Sequence, residues 1–141
     1  MDIAREKADA AGIDNIEFEV ADIDDLTAPE RPYDVILAHS ILHLLADPER
    51  VLRQLRRMLK PGGLLISSTA CIGDTFPLLR YVAPAGRAVG LLPRVNVFRE
   101  DDFMQWFSRT GFAIEERWQP KPKSGVYIIA RTAGDREAAA G

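Results

Sequence analysis

Residues 33–69 read YDVILAHSILHLLADPERVLRQLRRMLKPGGLLISST, and the order of patterns within them decides the fold. Tyr33 to Ala38 is apolar on both faces after Asp34, the composition of a central parallel strand covered by helices on each side. Asp47-Pro48-Glu49 then starts a helix: Asp caps the free amides, Pro fits the first turn, and Glu suits the positive dipole end. Val51, Leu52, Leu55, Met58 and Leu59 form its buried stripe. Arg50, Arg53, Arg56, Arg57 and Lys60 fall largely off that stripe. They make a basic face, which suits either solvation and i,i+4 pairing such as Glu49–Arg53 or contact with an anionic partner. Lys60-Pro61-Gly62-Gly63 stops the helix, and Leu64 to Thr69 is a second buried strand. Strand, helix, strand in this order is the unit of a parallel α/β sheet.

Outward from this unit, Asp2 to Ala11 reads as a helix ended by Gly12. Ile16 to Val20 alternates Ile, Phe and Val with Glu, the period of a short strand. Residues 21–32 read as loop. Asp101 to Thr110 is a helix with Phe103, Trp106 and Phe107 inside, and Gly111 ends it. Phe112 to Trp118 and Val126 to Thr132 are strands, and the Pro- and Gly-containing link between them suits a hairpin. Ala70 to Phe98 is irregular and apolar, the composition of a lid or binding element. Gly134 to Gly141 has nothing to bury and reads as a tail. The expected organisation is one domain over 1–133, with 70–98 as its substrate-lid segment and 134–141 disordered.

The chain has 141 residues, with 18 Lys or Arg against 21 Asp or Glu and a net charge of -3. That balance argues against a nucleic-acid binder working through bulk charge. One cysteine, Cys71, makes neither an internal disulfide nor a multi-thiolate zinc site. The longest apolar run, Val35 to Ala46, carries His39, Ser40 and His43 and is shorter than the ~20 residues a bilayer requires. The amino terminus lacks a signal-peptide pattern, so a cytoplasmic protein is expected. His39 and His43 stand four apart, a spacing that invites a metal, but no third ligand accompanies them, and no metal is expected.

Four segments together resemble the class I S-adenosylmethionine-dependent methyltransferases, specifically the small-molecule enzymes of ubiquinone/menaquinone type. Ala4-Arg5-Glu6-Lys7-Ala8 with Ala11-Gly12-Ile13 looks like the helix after that family's second strand. Ile16 to Asp22 (IEFEVAD) looks like the third strand with its terminal acid. Tyr33 to Ala38 followed by Leu42-His43-Leu44 and Asp47-Pro48 looks like the fourth strand and the region after it. Leu59-Lys60-Pro61-Gly62-Gly63 looks like the family's LKPGG turn. The resemblance implies a Rossmann-like α/β fold: a mostly parallel sheet of order 3-2-1-4-5-7-6, with a C-terminal antiparallel hairpin.

The family's first strand, glycine-rich GxGxG turn and second strand with its ribose-binding acid have no counterpart here, since no two glycines stand two apart. An N-terminally truncated domain is therefore expected. Strand Ile16–Val20 would then pair directly with Tyr33–Ala38, meet another chain, or await residues outside this sequence. The resemblance implies S-adenosylmethionine as cofactor, with Asp22 accepting from the adenine amino group and Ile23 covering the ring. Ala38 and His39 would border the methionine part. His43 would lie by the transfer pocket as a base, an orienting group or a packed histidine. Arg80 and Arg87 (with Arg94) and Phe98 would shape the acceptor site. The acceptor would be a small, apolar molecule; no nucleic-acid partner is expected, and self-association through an exposed sheet edge is possible. The competing expectation is an inactive remnant that acts only by association. A nicotinamide oxidoreductase ranks last, because neither its glycine fingerprint nor a YxxxK pair is present.

Overall fold

The structure is a computed structural model, and it describes residues 2–69, 98–121 and 124–133. The elements run α1 (Asp2–Ala10), β1 (Tyr33–His39), a single 3-10 turn (Leu42–Leu44), α2 (Pro48–Met58), β2 (Leu59–Thr69), α3 (Glu100–Arg109), β3 (Phe112–Trp118) and β4 (Val126–Thr132). The four strands form one sheet of order β1-β2-β4-β3. β1 and β2 are parallel, and β4 is antiparallel to both β2 and β3. This is the 4-5-7-6 half of the sheet that the sequence resemblance implies. Among the described residues, no helix is long and apolar enough to cross a membrane.

The local chemistry explains α2. Asp47 accepts from the Arg50 amide at 2.9 Å, and Pro48 occupies the first turn. All five residues of the expected stripe are buried. They pack with Leu65, Val126, Ile128 and Ala130 from the sheet and with Phe98, Phe103, Phe107 and Phe112. Full burial of a side chain the size of Leu52 or Phe103 contributes about 1.5–3 kcal/mol, so this cluster carries the fold. α2 and α3 pack on each other and share one face of the sheet. The β3–β4 pair is tied by Arg131, which donates to Glu115 and, at 2.6 Å, to the Gly62 carbonyl. The hydrogen bond to Glu115 and then its charge hold the Arg131 guanidinium above its ordinary pKa.

Two expectations are corrected. Ile16 to Val20 is not a strand: it has no ladder partner, and Ile16 and Val20 are 48% and 81% exposed. Its alternation is strand-like, but a strand exists only against a neighbour, and β1 pairs with β2 alone among the described residues. The one tie described for this stretch is from α1, where Arg5 donates to the Phe18 carbonyl at 3.2 Å. Tyr33 to Ala38, expected at the centre with helices on both faces, instead forms the sheet's edge. Ile36 and Ala38 face the α2 side, whereas Val35 and Leu37 are 46% and 60% exposed on the other.

The two edges of the sheet differ in chemistry. β3 carries Glu115, Glu116 and Arg117, charges that discourage further pairing. β1 carries Val35 and Leu37, continued across the open face by Leu64 and Ile66 and, beside Ile66, by Ile129. By composition β3 is an edge strand and β1 an interior one. The link Lys60–Gly63, expected as a turn, forms the irregular start of β2. The β1–β2 register jumps there from Tyr33↔Leu59 to Val35↔Leu64.

Candidate functional site

The carboxyl ends of parallel strands are where open α/β sheets receive ligands. Here those ends belong to β1 and β2. His39 closes β1 and bonds through Nδ1 to Ser68 Oγ at 2.9 Å. Ser40 follows with φ +53°, a left-handed conformation that costs a non-glycine residue about 1–2 kcal/mol. Its amide donates to the Ser68 carbonyl at 2.8 Å, so the sharp exit from β1 is pinned to β2. The 3-10 turn then carries His43, half-buried, between the buried Leu42 and the exposed Leu44.

Four buried side-chain atoms lack a hydrogen-bond partner among the described residues: His43 Nδ1, Ser67 Oγ, Thr69 Oγ1 and Arg56 Nε. The first three stand at, or just after, the carboxyl ends of β1 and β2. Unpaired buried polar atoms are rare because each costs about 1–3 kcal/mol, so three toward one end of the sheet single that end out as the candidate site.

The loop of residues 22–26 is held against α2. Gln54 donates to the carbonyls of Ile23 at 3.0 Å and Leu26 at 2.5 Å, and Arg50 pairs with Asp24. Asp22 turns the loop by accepting from the Asp24 amide at 3.0 Å, and its carboxylate is exposed. Ile23 packs against the same cluster that contains Ala38 and Leu42. The structure thus ties Ile23 to α2 and the core and leaves Asp22 at the surface, one residue before it. Ala38 itself points into the core, so only its backbone borders the strand end. Phe98 is also a core residue, 4.6 Å from Trp106 and 5.7 Å from Phe103 between ring centroids. Arg80, Arg87 and Arg94 lie outside the described residues. Among the described residues no group of three His, Cys, Asp or Glu is placed to hold a metal.

Sequence reasoning passed over Ser40 and Ser68. The signal was the run Ser67-Ser68-Thr69, a polar ending on an otherwise apolar strand. An apolar strand that turns polar at its carboxyl end is suited to meet a ligand there.

These groups fit one side of a nucleoside-cofactor cleft: an exposed acid, an apolar neighbour, and paired polar strand ends. A glycine turn and a ribose-binding acid are not among them. The comparisons agree with the geometry. Residues 1–111 match the family described as "Methyltransferase domain", and the chain belongs to that family. S-adenosylmethionine is the cofactor the family implies.

The chain is 40% identical over 136 residues to the tRNA 5-carboxymethoxyuridine methyltransferase of Escherichia coli strain K12, covering 92% of this chain and 51% of that protein. It is 28% identical over 120 residues to the ubiquinone biosynthesis O-methyltransferase of Coxiella burnetii, covering 81% and 50%. The fold also matches an S-adenosylmethionine-dependent methyltransferase from Mesorhizobium loti, with TM-score 0.69, 22% identity, and coverage of 93% of this chain and 76% of that one. The chain spans about half the length of the curated relatives it matches.

Proposed function

We propose that this chain is the C-terminal, acceptor-side part of an S-adenosylmethionine-dependent methyltransferase. The polar cluster at the ends of β1 and β2 carries the reading. S-adenosylmethionine, when bound, supplies a methyl group already activated on sulfur, so the protein's task is to align and to exclude water. Asp22 would accept from the adenine amino group, and Ile23 would lie against the ring. His39, fixed by Ser68, would border the methionine part. His43 has Nδ1 buried, which leaves Nε2 to take the proton of an acceptor hydroxyl.

The acceptor is a small apolar molecule on the composition of residues 70–98. A second reading, a modified nucleotide of tRNA, is favoured by the 40% identity to the Escherichia coli enzyme, which extends over 92% of the chain. Isothermal titration with S-adenosylhomocysteine tests the cofactor site. Saturable heat supports the methyltransferase, and no heat at millimolar ligand supports the inactive remnant instead. Incubation of the whole protein with methyl-labelled cofactor and a cell extract separates the acceptors: label enters either the solvent-extractable or the RNA fraction.

A further inference from the structure

At the far end of the sheet from the candidate cleft, α2 and α3 both finish beside the start of β2. The hollow between them has a volume of about 350 Å³ and is lined by Arg53, Arg56, Arg57 and Lys60 with Thr110 and Thr132. A contiguous hollow of about 490 Å³ adds Arg109. Among the described residues no carboxylate lines either one. Glu49 reaches Arg53 at 3.5 Å and Arg109 at 3.3 Å from outside, and Asp34 holds Lys60 at 2.6 Å. Arg57 is exposed, and no ion pair is described for it.

Arg56 is built into the floor. Its Nη2 donates to the Ala133 carbonyl at 3.3 Å, and its guanidinium lies where a Cβ on Gly111 would fall, 2.9 Å from Cζ. Its Nε is the fourth buried unpaired atom of the described structure. The basic face that the sequence left open between solvation and an anionic partner therefore ends in a hollow with an unfilled donor.

We propose that this groove binds the phosphodiester backbone of a polynucleotide. Arg53 to Met58 spans about 7.5 Å at the helical rise, and Lys60 extends the basic row two residues into β2, a reach longer than one phosphate. The hollow is also remote from the candidate cleft: Lys60 to Ser68 is about 26 Å along β2. The net charge of -3 conceals it, because residues 2–34 hold eleven acidic residues against three basic ones, while residues 50–60 hold five basic and no acidic ones. Local distribution, not the sum, decides phosphate binding. The expectation of no nucleic-acid partner rested on the sum.

The test is fluorescence anisotropy of the whole chain with a short labelled RNA, the same sequence as single-stranded DNA, and inorganic phosphate as competitor. Because the contact is to phosphates, RNA and DNA are expected to bind alike. The affinity should fall with salt at a log–log slope of about 0.7 per phosphate contact. Inorganic phosphate at equal phosphate concentration should not displace either one. The double variant Arg57→Glu/Lys60→Glu should weaken binding by about tenfold or more and flatten the salt slope by about 1.4, two contacts' worth. Arg5→Glu/Lys7→Glu on α1 makes the same change in net charge, lines neither hollow, and should leave binding unchanged. Circular dichroism verifies that both variants are folded. Absence of oligonucleotide binding, displacement by inorganic phosphate, or equal loss in the two double variants would overturn the proposal.

Discussion

Gly62 and Gly63 are neighbours but need glycine for different reasons. Gly62 has φ +75°, and a Cβ there would meet nothing within 4 Å. Gly62→Ala should therefore cost only left-handed strain, about 1–2 kcal/mol, and Gly62→Asn should cost less. A Cβ on Gly63 would fall 2.9 Å from the Lys60 carbonyl and 3.2 Å from that of Asp34, where the β1–β2 register jumps. Backbone has to move there, so Gly63→Ala should cost about 1–3 kcal/mol and Asn should bring no relief. Urea denaturation of the four variants measures the difference; equal losses at both positions would contradict it. The helix cap offers an independent check. Asp47→Ala removes the acceptor for the Arg50 amide and should cost about 1 kcal/mol. Residues of this kind were legible in the sequence, because caps and glycine turns are local chemistry. The pairing of His39 with Ser68 was not, since it joins side chains 29 residues apart and depends on the strand register.

Among the elements, β1 is the one whose composition and position disagree. Its outer face should be nearly indifferent to polarity in this chain. Leu37→Asn, at a half-exposed site, should change stability by less than about 0.5 kcal/mol. Leu65→Ala, two residues before Ser67 on the buried face of β2, should cost about 2–5 kcal/mol. A large loss at Leu37 would show that something covers this edge. Hydrogen exchange gives the same contrast without mutation: amides of β2 and β4, paired on both sides, should exchange more slowly than those of β1. The elements explain what periodicity conveys. α2, α3 and β4 read correctly because each buries a regular stripe or alternation within its own length, and β3 because it pairs with β4 across a short hairpin link. Ile16 to Val20 carried an equally clear alternation and failed, since alternation states which face would be buried and says nothing of whether a partner strand is present. β1 misled for the same reason, with both faces apolar and only one of them covered.

At the scale of the molecule, two ends of one sheet carry two chemistries. The carboxyl ends of β1 and β2 carry His39, Ser40, His43 and Ser68, and the loop with Asp22 is tied to α2. The opposite end gathers Arg53, Arg56, Arg57 and Lys60. The family was legible from the order of its motifs, whereas the second hollow depends on how α2 and α3 converge, which no single segment encodes. In the whole protein His43→Gln should lower methyl transfer by about 10²–10⁴-fold if its nitrogen takes the acceptor's proton. Cofactor affinity should be unchanged; a variant with full activity would remove His43 from that role. The most direct test of the account is a chemical-shift map of the isotopically labelled chain titrated with S-adenosylhomocysteine to millimolar concentration. We expect saturating shifts at Asp22, Ile23, His39, Ser40 and Ser68, with Arg53 to Lys60 silent. No shift at the first set, or shifts centred on the basic hollow, would contradict it.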